Sequence, residues 1–494
     1  MMASNVSRDV SQDQSSVVQT RKPWYAFATV AAGRFVRFAS RVTKHGGSAL
    51  PGKVVEKIDP GFLTRTLGQL PLGVVLVSGT NGKTTTTRMV ASMLSDLGLK
   101  VFTNPTGSNF VRGVVSALLT EVTFGGKLDA DIAVLELDEA YAVHFVKQVK
   151  PRYALLLNVM RDQLDRFGEI DTTAKLLSHV AAATTGTVVL NREDPRIAAL
   201  AAKAPAGTTV RYFGLADDLR HYFPSDDDMA TTVSVEGVAG PLPSVSTPLS
   251  PLRGQLPSER EAAAGTAELP ADVTLTAVGD HKATFQMDGQ GYATDVKLEG
   301  VYNLYNAAAA LAVVRAVMQD NAAASKATAA ANACAVSADE LIAAVSRVTP
   351  AFGRGEVIDV NGSPVELLLV KNPMGFRLSL ASFDPANADT MIAINDEYAD
   401  GRDMSWLWDV DFTSLRASGV AMVSGVRAWD MALRLGYDQV PVADTNTDLE
   451  QAVTAFVNAN PGTRKHIYCT YTAMLKTRAV LGRITEVRDA GVGK

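Results

Sequence analysis

The eight residues Ser78-Gly79-Thr80-Asn81-Gly82-Lys83-Thr84-Thr85 bring together the residue types that hold a polyphosphate. Gly79 and Gly82 let the backbone fold around phosphates, and the amides that open a following helix point at negative charge. Lys83 reaches the outer phosphates, and the Thr84 hydroxyl can ligate Mg²⁺. The pattern departs from G-x-x-x-x-G-K-[ST], because position 77 is Val rather than Gly. A second cluster, Glu136-Leu137-Asp138-Glu139, closes the apolar run Ala133-Val134-Leu135. Carboxylates at the end of a strand sit where ligands collect in open α/β sheets, which makes Glu136 a candidate Mg²⁺ ligand beside Thr84. By itself it also fits a solvated acid at a strand end. The polar run Asn158 to Gly168 likewise follows an apolar segment and reads either as part of the same site or as a capping cluster.

The elements that must position these groups are legible. Leu72 to Ser78 reads as a buried strand and Lys83 to Leu97 as a helix. Further strands are expected at Lys100 to Thr103, Ile132 to Leu137, Tyr153 to Val159 and Thr187 to Leu190. Short apolar strands separated by helices predict an α/β fold with a mostly parallel sheet covered on both faces. Pro224 to Pro270, rich in Pro, Ser, Gly and Ala, reads as an exposed insertion. A helix is expected from Asn303 to Met318, then loop or irregular helix through Asn321 to Ala335. A second, smaller α/β unit starts near Pro350, with strands at Val365 to Val370, Thr390 to Ile394, Val420 to Val423 and His466 to Thr470. The expected domains are an N-terminal extension (1–45), a central nucleotide-binding domain (46–348) and a C-terminal domain (349–494). Within the extension, residues 1 to about 22 read as a mobile tail. Trp24 to Arg41 reads as an amphipathic helix that packs on the body or rests on an anionic membrane surface.

Composition narrows the function. At 494 residues the chain can bury two or three cores, and Lys+Arg 47 against Asp+Glu 52 leaves a net charge of −5, with no basic field for a nucleic acid. Two cysteines, Cys334 and Cys469, build neither a disulfide framework nor a four-cysteine zinc site, and fit a reducing cytosol. Neither lies in a nucleophile-elbow pattern, so both are expected to be inert. No segment approaches 18 uncharged apolar residues, and His144, His179, His221, His281 and His466 show no metal-ligand spacing.

Together the motifs resemble the Mur ligase superfamily, whose members form amide bonds through an acyl phosphate. Gly79 to Thr84 looks like its phosphate loop, and Leu135-Glu136-Leu137 like its magnesium-binding strand end. Asn158 to Asp165 is similar to its N-x-x-x-D-H-x-D segment, with Gln163 where His is usual. Tyr302-Asn303-Leu304-Tyr305-Asn306 resembles the helix start whose asparagines hold adenine, and Gly353-Arg354-Gly355-Glu356 the arginine loop near the γ-phosphate. Farther on, Val370-Lys371-Asn372-Pro373-Met374-Gly375 and Asn395-Asp396 to Asp409 look like the MurT branch.

That resemblance implies ATP and Mg²⁺ as cofactors, with Gly79, Thr80, Asn81, Gly82, Lys83, Thr84, Thr85, Asn303, Asn306, Arg354 and Asp396 around the nucleotide and Thr84 and Glu136 on the metal; no zinc is expected. It implies a ligase subunit, with Lys83 and Arg354 acting on the phosphates, that converts the D-glutamate α-carboxylate of the lipid II stem peptide to D-isoglutamine. Ammonia would come from a GatD-type glutaminase partner at the inner face of the cytoplasmic membrane. An aspartate between Asp400 and Asp403, here Asp403, would complete the partner's Cys-His pair. Trp406 and Trp408 read as interface anchors or core residues. Two other readings share the same residues: a Mur or folylpolyglutamate-type ligase that adds a free amino acid, and a nonenzymatic nucleotide-binding regulator.

Overall fold

The computed structural model describes residues 25–42, 49–104, 109–160, 170–222, 269–279, 282–297, 301–327, 336–349 and 354–487. The tail 1–22, Gln163, Cys334, Gly353 and the bulk of the expected insertion (224–268) lie outside them.

Two sheets organise the chain. The first comprises β1 (Val74–Ser78), β2 (Val101–Thr103), β3 (Ile132–Glu136), β4 (Tyr153–Leu156), β5 (Thr187–Asn191), β6 (Thr209–Leu215), β7 (Val273–Gly279), β8 (Lys282–Met287) and β9 (Gln290–Asp295). Their spatial order is β2-β3-β1-β4-β5-β6-β7-β8-β9. Pairing is parallel from β2 through β7, and β7-β8-β9 is an antiparallel meander. β1 and β3 to β5 are buried along their whole length, as strands covered on both faces must be. One cover is the helix Lys83–Asp96 together with the long helix Val301–Ala327; the other is Val111–Glu121, Glu139–Val146 and Ile170–Ala183.

The second sheet holds β10 (Arg354–Val360), β11 (Ser363–Leu369), β12 (Ala388–Ala393), β13 (Met422–Ser424), β14 (Thr445–Asn446) and β15 (Arg464–Cys469), in the order β10-β11-β15-β12-β13-β14. Only the β10-β11 pair is antiparallel.

Three expectations change. The expected loop around Arg354 is instead, from Arg354 on, the start of strand β10, because Arg354 to Val360 pairs with β11 across a two-residue Asn361-Gly362 turn whose residues both have positive φ. The Ala-rich stretch continues the helix through Ala327, as alanine's helix propensity favours. The meander β7 to β9 was not anticipated, although its Asp288-Gly289 turn (φ 51° and 79°) is a strong hairpin signal.

Candidate active site

β1 delivers the loop 79–82 to the carboxyl edge of the first sheet, where the helix Lys83–Asp96 begins. Gly79 and Gly82 have φ of +135° and +82°, which L side chains rarely adopt. A Cβ at Gly82 would lie 2.4 Å from Asn306 Oδ1, so only glycine lets the long helix approach the loop. No side chain caps the start of the helix. The Thr85 hydroxyl beside it is buried and has no hydrogen-bond partner among the described residues. A helix start without a side-chain cap and a spare buried hydroxyl suit an anionic phosphate, so the loop fits a nucleotide.

Asn158, reached from β4, clamps the loop from below. Its Nδ2 donates to Asn81 O (3.1 Å), its Oδ1 accepts from Asn81 N (2.8 Å), and its own carbonyl accepts from Thr80 N (2.9 Å). Asn158 thus shapes the phosphate loop, whereas residues 161–169 of the same motif lie outside the described residues. Lys83, 7% exposed, donates to Gly79 O (2.6 Å) and lies 3.3 Å from Asp138 and 3.5 Å from Glu139. The Thr84 hydroxyl donates to Glu136 Oε1 at 2.8 Å. Asn104 holds Glu136 in place through both sides of its amide, accepting from Glu136 N (2.9 Å) and donating to Glu136 O (3.0 Å). A hydroxyl and a carboxylate side by side form a hard oxygen pair that suits Mg²⁺.

A cleft, partly open to solvent, runs from this loop between the two lobes. Asn81, Gly82, Thr85 and Asn306 line it from the first lobe; Lys371, Met374 and Ser379 line it from the second. Asn303 is buried one turn before Asn306. The Asp194 carboxylate at the cleft accepts from the amides of Val159 (2.7 Å), Arg196 and Ile197 (3.0 Å each), yet burial pushes its carboxyl up to about 6.

Residues whose roles sequence reading missed join the lobes. Lys371 Nζ donates to Thr80 O (3.1 Å), and the Asn81 and Asn372 amides pair reciprocally, at 2.8 Å and 3.4 Å. Asn372 also caps the helix Pro373–Ser382 by accepting from Gly375 N (2.8 Å), with Pro373 opening that helix. The Asn-Pro pair signalled the cap, but no local pattern reveals a partner 291 residues away.

The acidic residues of the C-terminal lobe lie elsewhere. Asp396 faces Arg427 (3.3 Å) and is not among the described residues lining the cleft. Asp400, 3% exposed, accepts from Thr472 N (2.7 Å), Thr472 Oγ1 (2.5 Å) and Glu397 N (3.1 Å), and its burial raises its pKa. Asp403 is exposed, and hydrogen bonds from Ser405 hold its carboxyl below the ordinary range. Trp406 packs against the core, and Trp408 is half-exposed with its ring edge-on to Tyr437 at 5.1 Å. Cys469 is buried, which pushes its thiol up, and His466 faces Glu366 at 2.9 Å inside the second lobe. The side chain of Arg354 lies outside the described residues.

Comparison with known proteins places this geometry. Residues 77–238 match the Mur ligase middle domain, and residues 369–474 match the MurT ligase C-terminal domain. The lipid II isoglutaminyl synthase (glutamine-hydrolyzing) subunit MurT of Streptococcus pneumoniae R6 is 31% identical over 92% of this chain and 97% of its own. The MurT subunit of Staphylococcus aureus COL is 27% identical over 84% and 89%. Among solved structures, MurF from Acinetobacter baumannii aligns with a TM-score of 0.61 at 18% identity, covering 90% of this chain and 82% of its own. MurF from Thermotoga maritima in complex with ADP gives 0.57 at 16% identity over 86% and 83%. With the fold, the phosphate loop and the near full-length relatives in agreement, the chain belongs to the Mur ligase superfamily and, within it, to the MurT family of ligase subunits.

Proposed function

We propose that this ligase subunit amidates the D-glutamate α-carboxylate of the lipid II stem peptide to D-isoglutamine, at the inner face of the cytoplasmic membrane, with a GatD-type glutaminase as its heterodimer partner. The observation that carries the reading is the pairing of a complete phosphate loop with a C-terminal lobe that matches the MurT domain along residues 369–474. In this reading residues 46–348 bind ATP, 349–494 meet the partner, and 224–270 is an exposed insertion.

A carboxylate is a poor electrophile at neutral pH, so the reaction runs in two displacements. A carboxylate oxygen attacks the γ-phosphorus of ATP and the bond to ADP breaks, leaving an acyl phosphate. The nitrogen lone pair of ammonia then attacks the acyl carbon; the C–O bond to phosphate breaks, a proton is lost, and an amide and inorganic phosphate remain. The loop Gly79 to Thr85, with Lys83, would hold the phosphates, and Arg354 is assigned to the γ-phosphate. Asn303 and Asn306 are assigned to adenine, and Asp396 to the ribose. Thr84 and Glu136 would hold Mg²⁺, which when bound neutralises charge on the phosphates. Lys371 brings a further cation to the loop from the opposite lobe.

Ammonia at pH 7 is mostly protonated, so local release by a partner raises the reactive form where it is needed. Asp403 is our choice for the carboxylate that orients the partner's imidazole, since Asp400 already accepts three hydrogen bonds within the fold. The helix Ala428–Tyr437, which Arg434 bonds to Leu407 O and Val410 O, exposes Trp429 (67%), Leu433 (58%) and Tyr437 (69%) at a four-residue spacing, with Tyr437 against Trp408. Such a stripe supports a protein interface.

The test is product mass with lipid II, ATP and either ammonium or glutamine plus the glutaminase. The expected product is about one mass unit lighter, formed with ammonium alone and with glutamine only when the partner is present. Turnover with a free amino acid instead would assign the chain to the classical ligases.

A further inference from the structure

The helix Ala26–Val42 has two unlike faces. Inward, Ala26, Thr29, Val30 and Gly33 are buried, and a Cβ on Gly33 would lie 2.6 Å from Leu119 Cδ1, so the helix seats closely on Val111–Glu121. Arg34 fastens it by donating Nε to Leu119 O (2.8 Å) and Nη2 to Val122 O (2.6 Å), while its guanidinium stacks over Phe124 at 4.6 Å. Arg37 Nη1 donates to Ser116 O (3.4 Å). Carbonyls at the end of a helix are natural acceptors for arginine. Outward, Ala28, Ala31, Phe35 and Phe38 are exposed at spacings of three and four residues, so they form one apolar stripe. Phe35 is 70% exposed, Phe38 66%, and Phe124 beside Arg34 65%.

The charge around this stripe decides what covers it. From Gln14 to Val55 the chain carries seven Lys or Arg and no Asp or Glu, although its net charge is −5. Exposed phenylalanines on a segment that carries seven cations and no carboxylate complement a surface that offers both apolar depth and negative headgroups. We infer that this face docks on an anionic lipid surface, with Phe35, Phe38 and Phe124 at the acyl boundary and Arg34 and Arg37 at the level of the phosphates. Among the described residues no helix is long and apolar enough to cross a membrane, so the helix lies on the surface. The inference rests on the proposed function for its purpose, since a lipid-linked substrate presents its peptide at such a surface; its test does not.

The test is cosedimentation of the full chain with phosphatidylcholine vesicles, with or without phosphatidylglycerol. The expected result is binding to the anionic vesicles that weakens with salt and falls about tenfold in the Phe35→Ser/Phe38→Ser variant. Both side chains are exposed, so the variant should keep the wild-type melting temperature and circular-dichroism spectrum. Failure of the wild-type chain to bind anionic vesicles, or equal binding by the variant, overturns the inference. So does a wild-type dimer that the variant turns into a monomer with unchanged lipid binding, which would assign the face to a second copy. Vesicle binding without any amidation would sink the proposed function and leave this inference standing.

Discussion

Glu136 and Asp403 each belong to an acidic cluster, and the fold treats them in opposite ways. Glu136 is 6% exposed, gripped through its backbone by Asn104, and bonded to Thr84. Asp403 stands in water, with its neighbour Met404 buried as an anchor and one backbone donor, Ser405 N, at 2.9 Å. Preorganisation of the first kind holds a site whose parts all lie in one chain. The second kind presents a carboxylate outward, as the role proposed for Asp403 toward a partner requires.

The contrast can be broken first at Lys83. Lys83→Ala should cut ADP release by about a thousandfold with either nitrogen source, because phosphate alignment precedes both; a loss confined to glutamine would erase the distinction between the regions. Asp403→Ala should lower glutamine-dependent amidation by about a hundredfold and leave the ammonium-dependent rate within about twofold. Asp400→Ala sharpens that result: removing a buried acceptor that holds Thr472 and Glu397 should cost about 2 kcal/mol in urea unfolding, a loss Asp403→Ala should not share. Next in size, Leu433→Ser should weaken affinity for the glutaminase about tenfold, read by titration calorimetry, without changing ammonium-dependent turnover.

A further difference concerns pH. Asp194 has its folded-state carboxyl pushed up to about 6, so the native chain holds this proton more tightly than the unfolded chain does. Its contribution is fully present below about pH 4 and declines as pH rises through 6, by up to about 3 kcal/mol. Comparing urea unfolding of the wild type and Asp194→Asn from pH 4 to 7 should show that slope flattened in the variant.

What was legible in the sequence was local. The phosphate loop could be read because its glycines, lysine and threonine are consecutive, and the core strands because parallel strands covered on both faces are continuous apolar runs. Asn158 reads from sequence as part of the same site or as a cap, and it shapes the loop through a partner 77 residues away. Asn372 was quoted without a role because its contact is set by how two lobes meet. The meander β7 to β9 is hard to read because its short alternating strands follow the long Pro- and Ser-rich stretch, with Asp288-Gly289 as the one clear turn signal. Asp400 and Asp403 are only three positions apart in sequence, and burial alone separates them.

The reciprocal amides of Asn81 and Asn372 carry no formal charge. The Lys371 bond beside them goes to a neutral carbonyl, so this joint depends on ionic strength far less than the attraction between the loop and a polyphosphate does. Titrating salt should therefore loosen nucleotide binding while the hinge angle measured by small-angle scattering stays nearly constant, giving a handle that moves ligand occupancy without moving the frame.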